Sequence, residues 1–155
     1  MAKKDKHDDA LARNRRASFN YLIGETYEAG LQLTGTEIKS VRLGQITIGD
    51  AYIMIRSNEA FLNNANISPY KQGNQFNPDP LRRRKLLLHK KEIKALDEAT
   101  AQGGKTVVPL KVYIVKGFAK ILIAVGTGKN NYDKRQTLKD RDLKREMNRN
   151  LKNFH

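Results

Sequence analysis

Hydrophobic and polar positions alternate along residues 19–33 and again along residues 51–67, with Ser57-Asn58-Glu59 as a turn inside the second stretch. Alternation with period two places successive side chains on opposite faces of a strand, so both stretches predict half-buried sheet. Between them, Thr34-Gly35-Thr36-Glu37 has the spacing of a capping box, Ile38 and Val41 share one helical face, and Gly44 can end the helix. A short helix is expected there. Residues 68–80 carry Pro69, Gly73, Pro78 and Pro80 and read as a surface connection, because proline interrupts both helix and ladder hydrogen bonding. Residues 90–101 place Ile93 and Leu96 on one side of a helix, whereas Lys85-Leu86-Leu87-Leu88 before them is an apolar run of either type. Residues 106–115 and 118–125 predict a hairpin turning at Lys116-Gly117, with Pro109 marking an edge strand or a bulge. Phe118 reads as core, lying in an apolar strand.

Several strands, one or two inserted helices and no repeated βαβ unit predict a mainly β fold with inserted helices. An oligonucleotide-binding β-barrel fits best. The chain then changes character. From Lys129 onward, nine basic residues face four acids, and Leu143, Met147, Leu151 and Phe154 form one narrow helical stripe behind a start near Thr137. So narrow a stripe buries little, and this tail is expected to become helical on binding a partner. The domain reading is a basic flexible N-terminus over 1–13, an oligonucleotide-binding-fold body over 14–128 and a basic C-terminal tail over 129–155.

Charge then selects the partner. With 30 Lys and Arg against 16 Asp and Glu, the 155-residue chain carries +14, concentrated in residues 3–16, 82–91 and the tail. A polyanion is implied. No apolar run approaches the ~18 residues of a membrane span, so nucleic acid is preferred to membrane and a cytoplasmic location is expected. Aromatic residues near the basic clusters, Phe19, Tyr21 and Tyr132 among them, suit base stacking beside phosphate neutralisation.

Catalytic chemistry finds little support. The absence of cysteine removes thiolate sites. Gly104-Lys105-Thr106 and Gly126-Thr127-Gly128-Lys129 lack the preceding glycine of a phosphate-binding loop, where Ala99 and Ile123 stand. His7, His89 and His155 have no ligand-spaced companions, so neither metal nor cofactor is expected. Glu25, Glu28, Glu37 and Glu59 are the acids from which an acid–base pair could be drawn, and nothing selects one. The residues alone point to a basic RNA binder, which leaves an adaptor, a structural ribosomal protein and, last, a small nuclease as the competing readings.

Longer stretches carry a resemblance. Tyr27-Glu28-Ala29-Gly30, Glu37-Ile38-Lys39-Ser40, residues 60–67 (AFLNNANI), Arg84-Lys85-Leu86-Leu87-Leu88, Gly128-Lys129 and Tyr132-Asp133-Lys134-Arg135 together resemble the small protein B family, in order and over nearly the whole chain. The resemblance implies a barrel that binds the tRNA-like domain of transfer-messenger RNA and delivers it to stalled ribosomes. It also implies elongation factor Tu, with the aminoacylated RNA, and small-subunit rRNA as partners. Asn14, Glu28, Leu87 and Lys120 match positions facing the RNA, with Arg15 and Arg16 beside Asn14. Gly128, Lys129, Tyr132, Asp133, Lys134, Arg135, Leu151 and Lys152 match the tail segment acting in the decoding centre and message channel. The chain departs from the family pattern at Asn130, often lysine, at Tyr132, often a titrating histidine, and at Asn150, usually apolar.

Overall fold

A computed structural model describes residues 10–72, 77–101, 103–129 and 131–153. The expectations for the basic start before residue 10, and for Gly73, Asn130, Phe154 and the side chains of Asp133, Asn150, Leu151 and Lys152, lie outside what is described. In chain order the elements are β1 (Ala12–Arg13), α1 (Arg15–Asn20), β2 (Tyr21–Leu31), α2 (Gly35–Arg42), β3 (Ile46–Thr47), β4 (Tyr52–Arg56), β5 (Glu59–Asn63), β6 (Asn66–Ile67), β7 (Arg84–Leu87), α3 (Lys90–Ala101), β8 (Lys105–Val115), β9 (Phe118–Gly128) and α4 (Asn131–Asn153).

The hairpin of β8 and β9 is the frame. Lys116 (φ 49°) and Gly117 (φ 82°) turn it with two residues in the left-handed region, a geometry that matches the twist of the flanking strands. Ser57 (φ 52°) and Asn58 (φ 61°) do the same between β4 and β5. From β9 the sheet runs through β2, β7, β5 and β4, and β4 returns to β8 by pairing Ile53 with Val107. This closes a six-stranded antiparallel ring, the expected barrel, which leaves no free edge among its own strands. β1 pairs with the other half of β8, and β3 with β6 form a small separate ladder. Ala29, Leu31, Ile53, Leu62, Leu86, Val112, Ile121 and Ile123 fill the interior, joined by Val41 of α2 and Leu96 of α3.

Proline at position 109 is accommodated by a bulge. Pro109 faces Ile123 and Lys111 faces Leu122, leaving Leu110 as the extra residue of a strand that is not an edge. Helix α2 starts with the expected box: Glu37 N–H donates to Thr34 Oγ1 at 3.3 Å and Thr34 N–H to Glu37 Oε1 at 3.0 Å.

Three expectations are corrected and one open run is settled. Residues 15–20 form α1, so the strand begins at Tyr21. Asn14 N–H is already tied to Leu110 O at 2.8 Å, and the turn that follows buries Ala17 instead of continuing the alternation. Phe118 is 71% exposed, because it shares the outward face of β9 with Lys120 while Ala119 and Ile121 turn inward. The segment after residue 84 is a strand, with Arg84 and Leu86 pointing inward; one member of the second basic cluster is thus wholly buried. Helix α4 begins at Asn131 instead of near Thr137, whose hydroxyl receives Lys129 Nζ at 2.6 Å.

Candidate nucleic-acid interface

Three sequence-selected residues meet on one outward face. Since Ala29 and Leu31 enter the core, Glu28 and Gly30 lie on the other side of β2. Gly30 pairs with Leu87 of β7 on one flank and with Lys120 of β9 on the other, which sets Leu87, Gly30 and Lys120 in one row across three strands. Glycine keeps the row close: a Cβ at position 30 would lie 3.1 Å from Leu87 Cβ and would need Leu87 to give way slightly. Leu87 remains 56% exposed, unusual for the second of three consecutive leucines. Glu28, Gly30, Leu87 and Lys120 line a groove of about 610 Å³, with Lys85 and Glu59 at its rim.

Glu28 is held in place. Tyr113 Oη donates to Glu28 Oε2 at 2.6 Å. Burial first, then the hydrogen bond and charge of Glu28, hold the Tyr113 phenol above its ordinary value, so it stays a donor at physiological pH. The face therefore offers an oriented carboxylate acceptor, an apolar platform and an ammonium. These suit a base edge or 2′-hydroxyl, an unstacked base and a phosphate.

Asn14, Arg15 and Arg16 lie elsewhere. Asn14 docks on the β8 bulge, donating from Nδ2 to Pro109 O at 2.9 Å, while its Oδ1 is buried without a partner. A cleft of about 400 Å³ opens beside it, lined by Arg16, Asn20, Tyr21, Asp50 and Tyr52. It shares no lining residue with the Glu28 groove. Arg15 is exposed, and Arg16 meets Asp50 at 3.2 Å in a pair too exposed to contribute much.

The root of the tail is fastened to α1. Gly128 ends the ladder opposite Tyr21. Lys129 donates from its backbone to Asn20 O at 2.9 Å and from Nζ to Ser18 O at 2.9 Å. Lys134 and Arg141 both approach the Phe19 ring, at 5.9 and 5.8 Å from its centroid. Tyr132 is 75% exposed and Arg135 is exposed. Further along α4, Leu143 and Met147 stay exposed, so this part of the apolar stripe is uncovered by the described residues.

Sequence reasoning missed a buried ion cluster that supports the groove. Arg84, fully buried, donates from Nε to Glu37 Oε2 at 2.8 Å and from Nη1 to Ala65 O at 2.7 Å. Arg82 pairs with the other carboxylate oxygen. Burial pushes the Glu37 carboxyl upward, but hydrogen bonds from Arg82, the Thr34 N–H and Arg84 outweigh it and hold the group below its ordinary value. The only sequence hint was an arginine directly ahead of the apolar run at residues 85–88.

Each of the four candidate acids has a non-carboxylate partner: Glu25 with Tyr27 Oη at 2.9 Å, Glu28 with Tyr113, Glu37 with the arginines and Glu59 with Lys85 at 3.4 Å. Among the described residues no three His, Cys, Asp or Glu side chains gather as metal ligands, and no helix is long and apolar enough to cross a membrane.

The SmpB protein family model matches residues 11–153. An SsrA-binding protein of Oenococcus oeni is 85% identical over 155 residues, covering 100% of both chains. One from Leuconostoc mesenteroides is 59% identical over 99% of this chain and 100% of its own. Among solved structures, a chain described under "tmRNA-SmpB: a journey to the center of the bacterial ribosome" superposes with a TM-score of 0.66 at 42% identity, covering 81% of this chain and 92% of that one.

Proposed function

The chain belongs to the SmpB protein family, and from that premise we propose that it binds the tRNA-like domain of transfer-messenger RNA and carries it to stalled ribosomes for trans-translation. The observation that carries this reading is the row of Leu87, Gly30 and Lys120 beside an anchored Glu28, on the open side of a closed barrel. Glu28 and Leu87 read shape and Lys120 neutralises phosphate, while Asn14, Arg15 and Arg16 form a second contact region on α1. The protein acts as an adaptor in the cytoplasm, without catalysis or cofactor, and elongation factor Tu joins it on the aminoacylated RNA.

Residues 14–128 form the RNA-binding body, with residues 1–13 as a basic arm. Residues 129–155 work in the decoding centre and message channel, with Gly128 and Lys129 at their root: Tyr132 lies beside Asp133, Lys134 and Arg135, which form the hinge between body and helix and sense the empty decoding site, and Leu151 and Lys152 extend along the channel. The exposure of Leu143 and Met147 on α4 supports this, since a helix with little intramolecular burial gains its stability from a partner. Tagging in a reconstituted translation system stalled on a message without a stop codon tests the division. Removing residues 129–155 abolishes tagging while affinity for free RNA persists; full tagging by the shortened protein contradicts the assignment.

A further inference from the structure

A second groove adjoins the Glu28 face. It measures about 340 Å³ and is lined by Gln32, Leu33, Thr34, Phe61, Arg82, Arg83 and Lys85. Lys85 lines both grooves, so the two lie side by side at the outer surface of β7. Their chemistry differs. The first includes Glu28, Glu59 and Glu92, whereas the second has three cations and no acid.

Arg83 is the informative residue. Its guanidinium carbon lies 4.3 Å from the centroid of the Phe61 ring, the closest cation–ring approach among the described residues. The side chain is exposed and, among the described residues, has no ion pair or hydrogen-bond acceptor. A guanidinium held over a ring face keeps N–H groups available and loses little freedom when it engages a phosphate. Beside it, Arg82 is anchored through one nitrogen to Glu37, while its buried Nε has no partner. Lys85 completes the set, drawn only to Glu59 at 3.4 Å in an exposed pair.

We propose that this groove is a phosphodiester track: the RNA held at Glu28, Leu87 and Lys120 continues over Lys85 onto Arg83 and Arg82, which bind its backbone without reading bases. The inference rests on the RNA-binding reading above. Arg82 and Lys85 have acid partners in Glu37 and Glu59 while Arg83 has none among the described residues; this uncompensated guanidinium between two further cations selects a polyanionic strand, and Lys85, shared with the first groove, assigns it to the same RNA.

Salt dependence separates the two grooves, because each lost phosphate contact flattens the plot of log K against log salt by about 0.7 to 1. The full-length protein and the isolated tRNA-like domain of transfer-messenger RNA are titrated by fluorescence anisotropy across a range of salt. Arg83→Gln lowers affinity about tenfold at low salt and flattens the slope by about 1, with an unchanged thermal melt. Phe61→Leu keeps the charge and the slope but weakens binding about threefold, by releasing the stacked guanidinium. Wild-type affinity and slope for Arg83→Gln overturn the track. Lys120→Ala, run in parallel, reports on the first groove: if it binds as wild type while Arg83→Gln does not, the Glu28 face fails and the track stands.

Discussion

Glu37→Ala is the most demanding perturbation of the scaffold beneath the proposed interface. Glu37 is 2% exposed and Arg84 fully buried, so the substitution leaves a guanidinium in the interior with Ala65 O at 2.7 Å and Asp79 O at 3.5 Å as its remaining partners. Breaking one side of a buried ion pair costs about 3–5 kcal/mol. At about 3 °C per kcal/mol for a chain of this size, the melting temperature falls by roughly 10–15 °C at neutral pH. The pH dependence has a fixed sign. Because the Glu37 carboxyl is held below its ordinary value in the folded protein, its contribution is complete above the unfolded pKa of about 4.3 and is lost as pH falls through the lower, folded value. The gap between wild type and variant is therefore widest near neutrality and narrows below about pH 4. Arg84 sits on β7 between Arg83 and Lys85, so the same variant weakens RNA binding although Glu37 touches neither groove from outside. Circular-dichroism melts at pH 7 and at about pH 2.5 provide the check. A gap under 2 °C, or one that does not change with pH, refutes the assignment of the cluster as a structural anchor. Replacing both charges together, Glu37→Leu with Arg84→Met, costs much less than either single loss.

Gly30→Ala forces its new Cβ against Leu87 and costs about 1–3 kcal/mol of stability, with RNA affinity falling as Leu87 shifts; wild-type melts and anisotropy would show slack in the row. Tyr113→Phe removes only the hydroxyl that holds Glu28 and changes stability by less than about 1.5 kcal/mol. RNA affinity nonetheless drops severalfold, and an unchanged value in the same titration would show that Glu28 needs no orienting partner.

Much of this architecture was legible because local signals agreed with it. The capping box at Thr34, the Lys116-Gly117 turn and the alternation in residues 51–67 each demand one geometry, and the fold adopts it. What escaped depends on distant partners. Phe118 looked like core because its strand is apolar, yet only pairing with β8 decides which parity faces inward. Helix α1 was hidden because Asn14 is fixed by Leu110 and Pro109, 95 residues beyond in the second case. Arg84 read as part of a solvated cluster, since the carboxylate that permits its burial lies 47 positions earlier. The positions of Glu28, Leu87 and Lys120 came from resemblance; their convergence on one row follows from strand register, which a linear pattern does not specify.

The central claim concerns that row. Its most direct test is the affinity of the wild-type protein, Glu28→Ala and Lys120→Ala for the isolated tRNA-like domain at one fixed salt concentration. Removing an acid from a chain of net charge +14 raises its attraction for any polyanion, so a purely electrostatic binder would tighten. A shaped contact at Glu28 predicts the opposite: Glu28→Ala weakens binding by about 1–3 kcal/mol, as Lys120→Ala does, with both folds intact. Binding by Glu28→Ala that equals or exceeds wild type would contradict the account.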